Sequence, residues 1–201
     1  MGFVASSQHE GMPIASYRGI ELRKNQCDAN NAICAAFGLD AKWICEDAIH
    51  AMNHFEKESQ DFFFTCPPYF QIEKYEDYNG VNPSCANAKK TWNEYIKVIR
   101  LGISNACMIL KENRFGCIML GDTRDGKGAY YGTVQEAESI LRQNDMKIWQ
   151  RIIYQEPMAL RGITANNSAN ISRKLANNYQ VILVFFKGNP KNISNYFFDL
   201  E

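Results

Sequence analysis

Three residue groups along this chain could do chemistry. The first is Cys66-Pro67-Pro68-Tyr69, which ends the apolar run Phe62-Phe63-Phe64-Thr65. It places a thiol, two residues without a backbone N–H and a flat ring where a strand should stop. Successive prolines stiffen such a loop and leave a backbone carbonyl free to accept a hydrogen bond. Tyr69 offers a face on which a planar group can stack. The second group is a pair of carboxylates, Glu21 and Asp47, each just beyond a strand-like segment. A carboxylate in that place can accept two ribose hydroxyls, and a second can accept an adenine amino group. Equally, both can be loop carboxylates that cap helices. The third group is Arg161, Arg173 and Lys174, in a Gly/Asn/Ser-rich stretch suited to phosphate contacts or to a solvated loop.

The elements that must hold these residues follow from periodicity. Short strands are predicted over 17–22, 41–45 and 61–65, and longer ones over 114–120, 146–154 and 180–186. A helix over 24–37 places Ala29, Ala32, Ile33, Ala36 and Phe37 on one face, and Gly38 ends it. In a long second helix Trp92, Tyr95, Ile96, Ile99, Ile103 and Leu110 recur at helical spacing. A third, over 133–144, carries Val134, Ala137 and Leu141 on one side. Strand and helix alternate, which predicts a mostly parallel α/β sheet, and no convincing helix separates the last two strands, which predicts an antiparallel pair. Ligands of such sheets bind at the carboxyl ends of the strands, where Glu21, Asp47 and Cys66 all fall.

Bulk properties narrow the classes. A chain of 201 residues without repeats or charge blocks reads as one domain over 1–201. Lys plus Arg and Asp plus Glu both total 22, so any nucleic-acid contact needs a local basic patch. The seven cysteines form no C-x-x-C pair, which fits reduced thiols in a cytoplasmic compartment. His9, His50 and His54 have no companions at metal-ligand spacing, so no metal is expected. No apolar stretch approaches a membrane span and no signal peptide is seen, so no membrane partner is expected. The start MGFVAS formally fits a myristoylation pattern but reads better as part of the fold.

The order and spacing of these motifs resemble the S-adenosylmethionine-dependent amino-methyltransferases of DNA, in particular phage and prophage DNA methylases with a Pro-Pro-Tyr catalytic loop. YRGIELRKNQCDANN resembles their ribose-binding motif, WICEDA their adenine-contacting motif, and TCPPYF their catalytic loop. The resemblance extends through GDTRDGKGAYYG and SRKLANNYQVILVFFKG. It implies a Rossmann-like methyltransferase sheet and S-adenosylmethionine held by Glu21, Leu22, Asp47 and Ala48. It implies a target base held by Cys66, Pro67, Pro68 and Tyr69, and DNA contacted by Arg161, Arg173 and Lys174. The implied reaction is methyl transfer to an exocyclic base amine, adenine N6 before cytosine N4, in a bacterial or phage-infected cell.

A base amine is a poor nucleophile because its lone pair is delocalised into the ring. A site that accepts both amine hydrogens favours the pyramidal nitrogen formed as methyl transfers. Two departures from the family follow. Its familiar members carry Asp, Asn or Ser where Cys66 stands, and a neutral thiol accepts weakly. Cys66 as a covalent nucleophile, as in C5-methyltransferases, is a further reading, although there the cysteine follows a proline. The family's first strand and glycine-rich turn are also missing: MGFVASS resembles the helix after that turn. The expectation is a sheet completed by a second chain or a second copy, or a methyltransferase-derived DNA-binding or assembly protein without turnover.

Overall fold

The computed structural model describes residues 16–72, 75–155 and 178–197. The chain divides into two compact units, Met1–Glu56 with Phe70–Asn105, and Lys57–Tyr69 with Ala106–Glu201.

In the first unit, β1 (Tyr17–Glu21) pairs in parallel with β2 (Ala41–Cys45) through α1 (Lys24–Ala36). The buried positions of α1 are Cys27 and Cys34. The predicted apolar face is on the other side: Ile33 is 51% and Phe37 60% exposed. The reason is a polar residue on the packed face. Asn31 Nδ2 donates to the Trp43 carbonyl at 3.0 Å, and the Trp43 N–H donates to Asn31 Oδ1 at 2.8 Å. N–H and C=O of one strand residue point to the same side, so this amide satisfies the edge of β2 as a neighbouring strand would. The start of α1 is closed from far along the chain, where Asp77 accepts the N–H groups of Lys24 and Asn25, both at 2.9 Å. Those bonds hold the Asp77 carboxyl below its usual pKa. The long helix α2 (Trp92–Ile109) starts in this unit, with Tyr95, Ile99 and Ile103 buried as their spacing predicts.

In the second unit, β3 (Phe63–Thr65), β4 (Arg114–Leu120), β5 (Lys147–Gln155) and β6 (Tyr179–Lys187) form a sheet in the order β3-β4-β6-β5. β3 is parallel to β4, and β6 is antiparallel to both its neighbours. The final antiparallel pair is therefore present. Parallel and antiparallel pairings are equal in number among the described strands, where the periodicity implies a mostly parallel sheet. Ile118, Leu120, Leu183 and Phe185 have no exposure, and neither do Ile140 and Leu141 of α3 (Thr133–Gln143). They make the core on one face of the sheet. The outer edges of β1 and β3 have no strand partner among the described residues.

Gly116 of β4 is fixed by this packing. It lies between Phe63 and Phe185 in register, and a Cβ there would stand 2.3 Å from Phe185 Cζ. Phe185 is fully buried and has nowhere to turn. Gly116→Ala should therefore cost about 1–3 kcal/mol by overpacking, read as a lower midpoint in urea with an unchanged slope. An unchanged midpoint would show that this ring has room to move.

Among the described residues no helix is long and apolar enough to cross a membrane. All seven cysteines are free thiols. His50 and His54 are on the surface, in and beside a 3-10 helix, while His9, Arg161, Arg173 and Lys174 lie outside the described residues.

Candidate functional site

The first unit holds the two carboxylates. Register pairs Glu21 with Cys45, so Glu21 and Asp47 both emerge at the carboxyl end of the parallel pair. Each has a structural partner. Glu21 Oε1 accepts from the Arg23 N–H at 2.9 Å and from Arg23 Nε at 3.1 Å, whereas Oε2 has only a 3.4 Å contact to Arg23 Nη2. The Arg23 guanidinium also lies 4.7 Å from the centre of the Tyr75 ring. Burial opposes its charge, but the hydrogen bond and charge of Glu21 more than offset this and raise its pKa. Asp47 caps the 3-10 helix Ala48–Asn53, its Oδ1 accepting from the Ile49 N–H at 3.1 Å. The carbonyls of Ala48 and Ile49 are held by Asn105 Nδ2 at 3.1 and 2.8 Å. Helix capping, one of the two roles open to these carboxylates in the sequence, is thus realised for Asp47. That cap uses only Oδ1, and the stronger bonds to Glu21 fall on Oε1.

Two thiols line the same turns. Cys27 Sγ donates to the Glu21 carbonyl and Cys45 Sγ to the Leu22 carbonyl, both at 3.8 Å. Burial, then the nearby Cys45, pushes the Cys27 thiol up to about 11, so it is a poor nucleophile at neutral pH.

The second unit holds the Pro-Pro-Tyr loop. β3 begins at Phe63, two residues later than expected, and Asp61 just before it meets Lys111 Nζ at 2.8 Å and Arg114 Nε at 3.0 Å. Thr65 pairs with Ile118, so the loop departs at the carboxyl end of β3. Cys66 is exposed, and Pro67, Pro68 and Tyr69 are partly buried. The Tyr69 ring lies against Gly121, where a Cβ would stand 3.3 Å from Tyr69 Cζ. The Tyr69 hydroxyl donates to Gln180 Oε1. Each of the two units therefore presents part of the predicted residue set at its own strand ends.

The sequence reading missed Arg23, Gly121 and Gln180. All three sit inside quoted motifs, but only the fold shows what they touch. Gln180 is the one polar residue between Tyr179 and the apolar run of β6, a signal too weak to select it. Tyr75 lies under Arg23, and Tyr130 takes Arg124 at 3.6 Å from its ring centre. Tyr78 donates to Asp28 at 3.3 Å. Tyr78 and Tyr130 are exposed, and Tyr75 and Tyr131 are partly buried. No group of three or more His, Cys, Asp and Glu that could hold a metal ion occurs among the described residues.

No family model matches the sequence, and no curated protein does. Solved structures match the fold. A Thermus thermophilus protein assigned as a DNA modification methylase, complexed with S-adenosyl-L-methionine, gives a TM-score of 0.51 at 15% identity, over 71% of this chain and 54% of that one. PvuII DNA methyltransferase, cytosine-N4-specific, gives 0.51 at 14% identity, over 70% and 47%. The [4+2]-cyclase SpnF gives 0.55 at 11% identity, over 93% and 70%. The chain spans about half the length of the two DNA methylases. It has the mixed α/β fold shared by S-adenosylmethionine-dependent methyltransferases, and the presence of a cyclase among its neighbours shows that the fold alone does not set the reaction.

Proposed function

We propose that residues 1–201 are a single methyltransferase-like domain that transfers methyl from S-adenosylmethionine to an exocyclic amine of a DNA base, adenine N6 before cytosine N4. The observation that carries the reading is Cys66-Pro67-Pro68-Tyr69 at the carboxyl end of a strand in this fold, with Tyr69 fixed against Gly121. The donor set fits the cofactor. Glu21 Oε2, with one contact of 3.4 Å among the described residues, would accept ribose hydroxyls, and the Asp47 oxygen outside the helix cap would accept the adenine amine. Leu22 and Ala48 adjoin them. The cofactor supplies an electrophilic methyl on a sulfonium. Backbone carbonyl and thiol of the loop accept the two amine hydrogens and so favour the pyramidal nitrogen, while Tyr69 stacks on the extruded base. Arg161, Arg173 and Lys174 hold phosphates. The edges of β1 and β3 that have no strand partner among the described residues are where a strand from a second chain or second copy would pair, and we place the protein in the cytoplasm.

A second reading, a methyltransferase-derived binding or assembly protein without turnover, is favoured by the Glu21–Arg23 pair, which ties up the carboxylate. Titration with S-adenosylmethionine separates the two. The enzyme reading expects weak binding that Glu21→Ala lowers a further ten- to hundredfold, the equivalent of about 1.5–3 kcal/mol for hydrogen bonds to a charged group. Tight binding indifferent to Glu21→Ala would remove the cofactor site from these residues.

A further inference from the structure

We infer that Gln180 is a positioning residue for Tyr69, and that it joins the Pro-Pro-Tyr loop to the end of the β5–β6 ladder. The placement comes from strand register. β4 and β6 pair from Arg114↔Lys187 to Leu120↔Val181, and one step further sets Gly121 opposite Gln180. Cross-strand neighbours lie about 5 Å apart. A ring resting on the bare backbone of Gly121 therefore brings its hydroxyl to the side chain on the adjacent strand, and the Tyr69 hydroxyl does donate to Gln180 Oε1. A Cβ at position 121 would stand 3.3 Å from Cζ, so the ring sits as close to the backbone there as a glycine permits without a shift.

Gln180 is also one rung from the end of the β5–β6 ladder. It pairs with Tyr154, and the last rung joins Gln155 to Tyr179. In the sequence, Arg161, Arg173 and Lys174 fall between these two strands, outside the described residues. One hydrogen bond thus links the ring proposed to stack on the base to the last rungs of the β5–β6 strand pair. A tyrosine on a loop has two rotatable side-chain torsions. Anchoring its hydroxyl removes that freedom before a base arrives, so less ordering is needed on binding.

The functional half of this inference rests on the methyltransferase reading, and the structural half does not. The test uses the full chain with ring-labelled tyrosine, its Tyr69 signals assigned by their loss in Tyr69→Phe. Gln180→Leu removes the acceptor, whereas Gln180→Glu keeps an acceptor oxygen in place. The parent and Gln180→Glu are expected to show a slowly flipping Tyr69 ring, and Gln180→Leu an averaged one. With a duplex carrying 2-aminopurine at the target, Gln180→Leu should lower kcat roughly three- to tenfold and reduce the extruded-base fluorescence, at unchanged DNA affinity. Gln180→Glu should recover most of both. If ring signals respond to Gln180→Leu but the parent neither extrudes nor methylates a base, the positioning stands and the methyltransferase reading falls. If Gln180→Leu leaves ring signals, fluorescence and kcat as in an active parent, the inference is overturned. Should Gln180→Leu fail to fold, Gln180→Ala removes the same acceptor, and a Tyr69 ring that flips there as slowly as in the parent overturns the inference equally.

Discussion

Replacing Arg161, Arg173 and Lys174 together with alanine is expected to abolish most of the affinity for DNA. The chain carries equal numbers of basic and acidic residues, 22 of each, so its mean field gives a polyanion no reason to approach. Attraction must be local. Each phosphate neutralised on duplex DNA contributes about 0.9 to the slope of log affinity against log salt. Three contacts make a slope of about 2.7, or roughly fortyfold between 50 and 200 mM salt. Anisotropy of a labelled duplex over a salt series should show the parent slope and its near-disappearance in the triple variant. Gln180→Leu provides the contrast, since it should leave that slope alone while disturbing Tyr69. A triple variant that binds as tightly as the parent, with the same slope, would move the DNA contact elsewhere.

The sequence was most legible where one face of an element is apolar and the other is not. The bounds of β2 and β4 are read without error, because residues 41–45 and 114–120 are bounded by turn formers. The long helix shows its buried side in Tyr95, Ile99 and Ile103 for the same reason. Legibility failed on α1, where the packed face is marked by Cys27, Asn31 and Cys34. There a hydrophobic count selects the exposed Ile33 and Phe37 instead. It failed again at Asp61, which reads as the first residue of a strand but lies before it, paired with Lys111 and Arg114. Those partners are 50 and 53 residues distant, and no local pattern reports them. The Pro-Pro-Tyr loop, a feature of residue type, was visible at once. Its support by Gly121 and Gln180 was not, because that depends on which strands lie side by side.

The same limit applies to Cys66, whose chemistry must be read from a substitution. Cys66→Asp is expected to keep or raise amine methylation, by roughly ten- to hundredfold where the parent has measurable activity. A neutral thiol accepts a hydrogen bond weakly, and a hydrogen bond to a charged acceptor contributes about 1.5–3 kcal/mol, which is that factor in rate. The substitution is well placed sterically. Cys66 is exposed, so a carboxylate there loses little hydration and should leave the melting temperature nearly unchanged. The outcome separates three chemistries when labelled methyl transfer is measured on adenine- and cytosine-containing duplexes. An acceptor role predicts gain. A covalent nucleophile predicts loss of turnover in Cys66→Asp, together with a trapped adduct between the parent and a 5-fluoropyrimidine substrate. A protein without turnover predicts no transfer from parent or variant, even when a partner strand is supplied. Gain in Cys66→Asp would also explain how a thiol can stand in this loop: stacking by Tyr69 and the backbone acceptor already hold the base, and the side chain tunes the rate. Loss of a parental activity alongside the adduct would overturn the amine-methyltransferase reading itself.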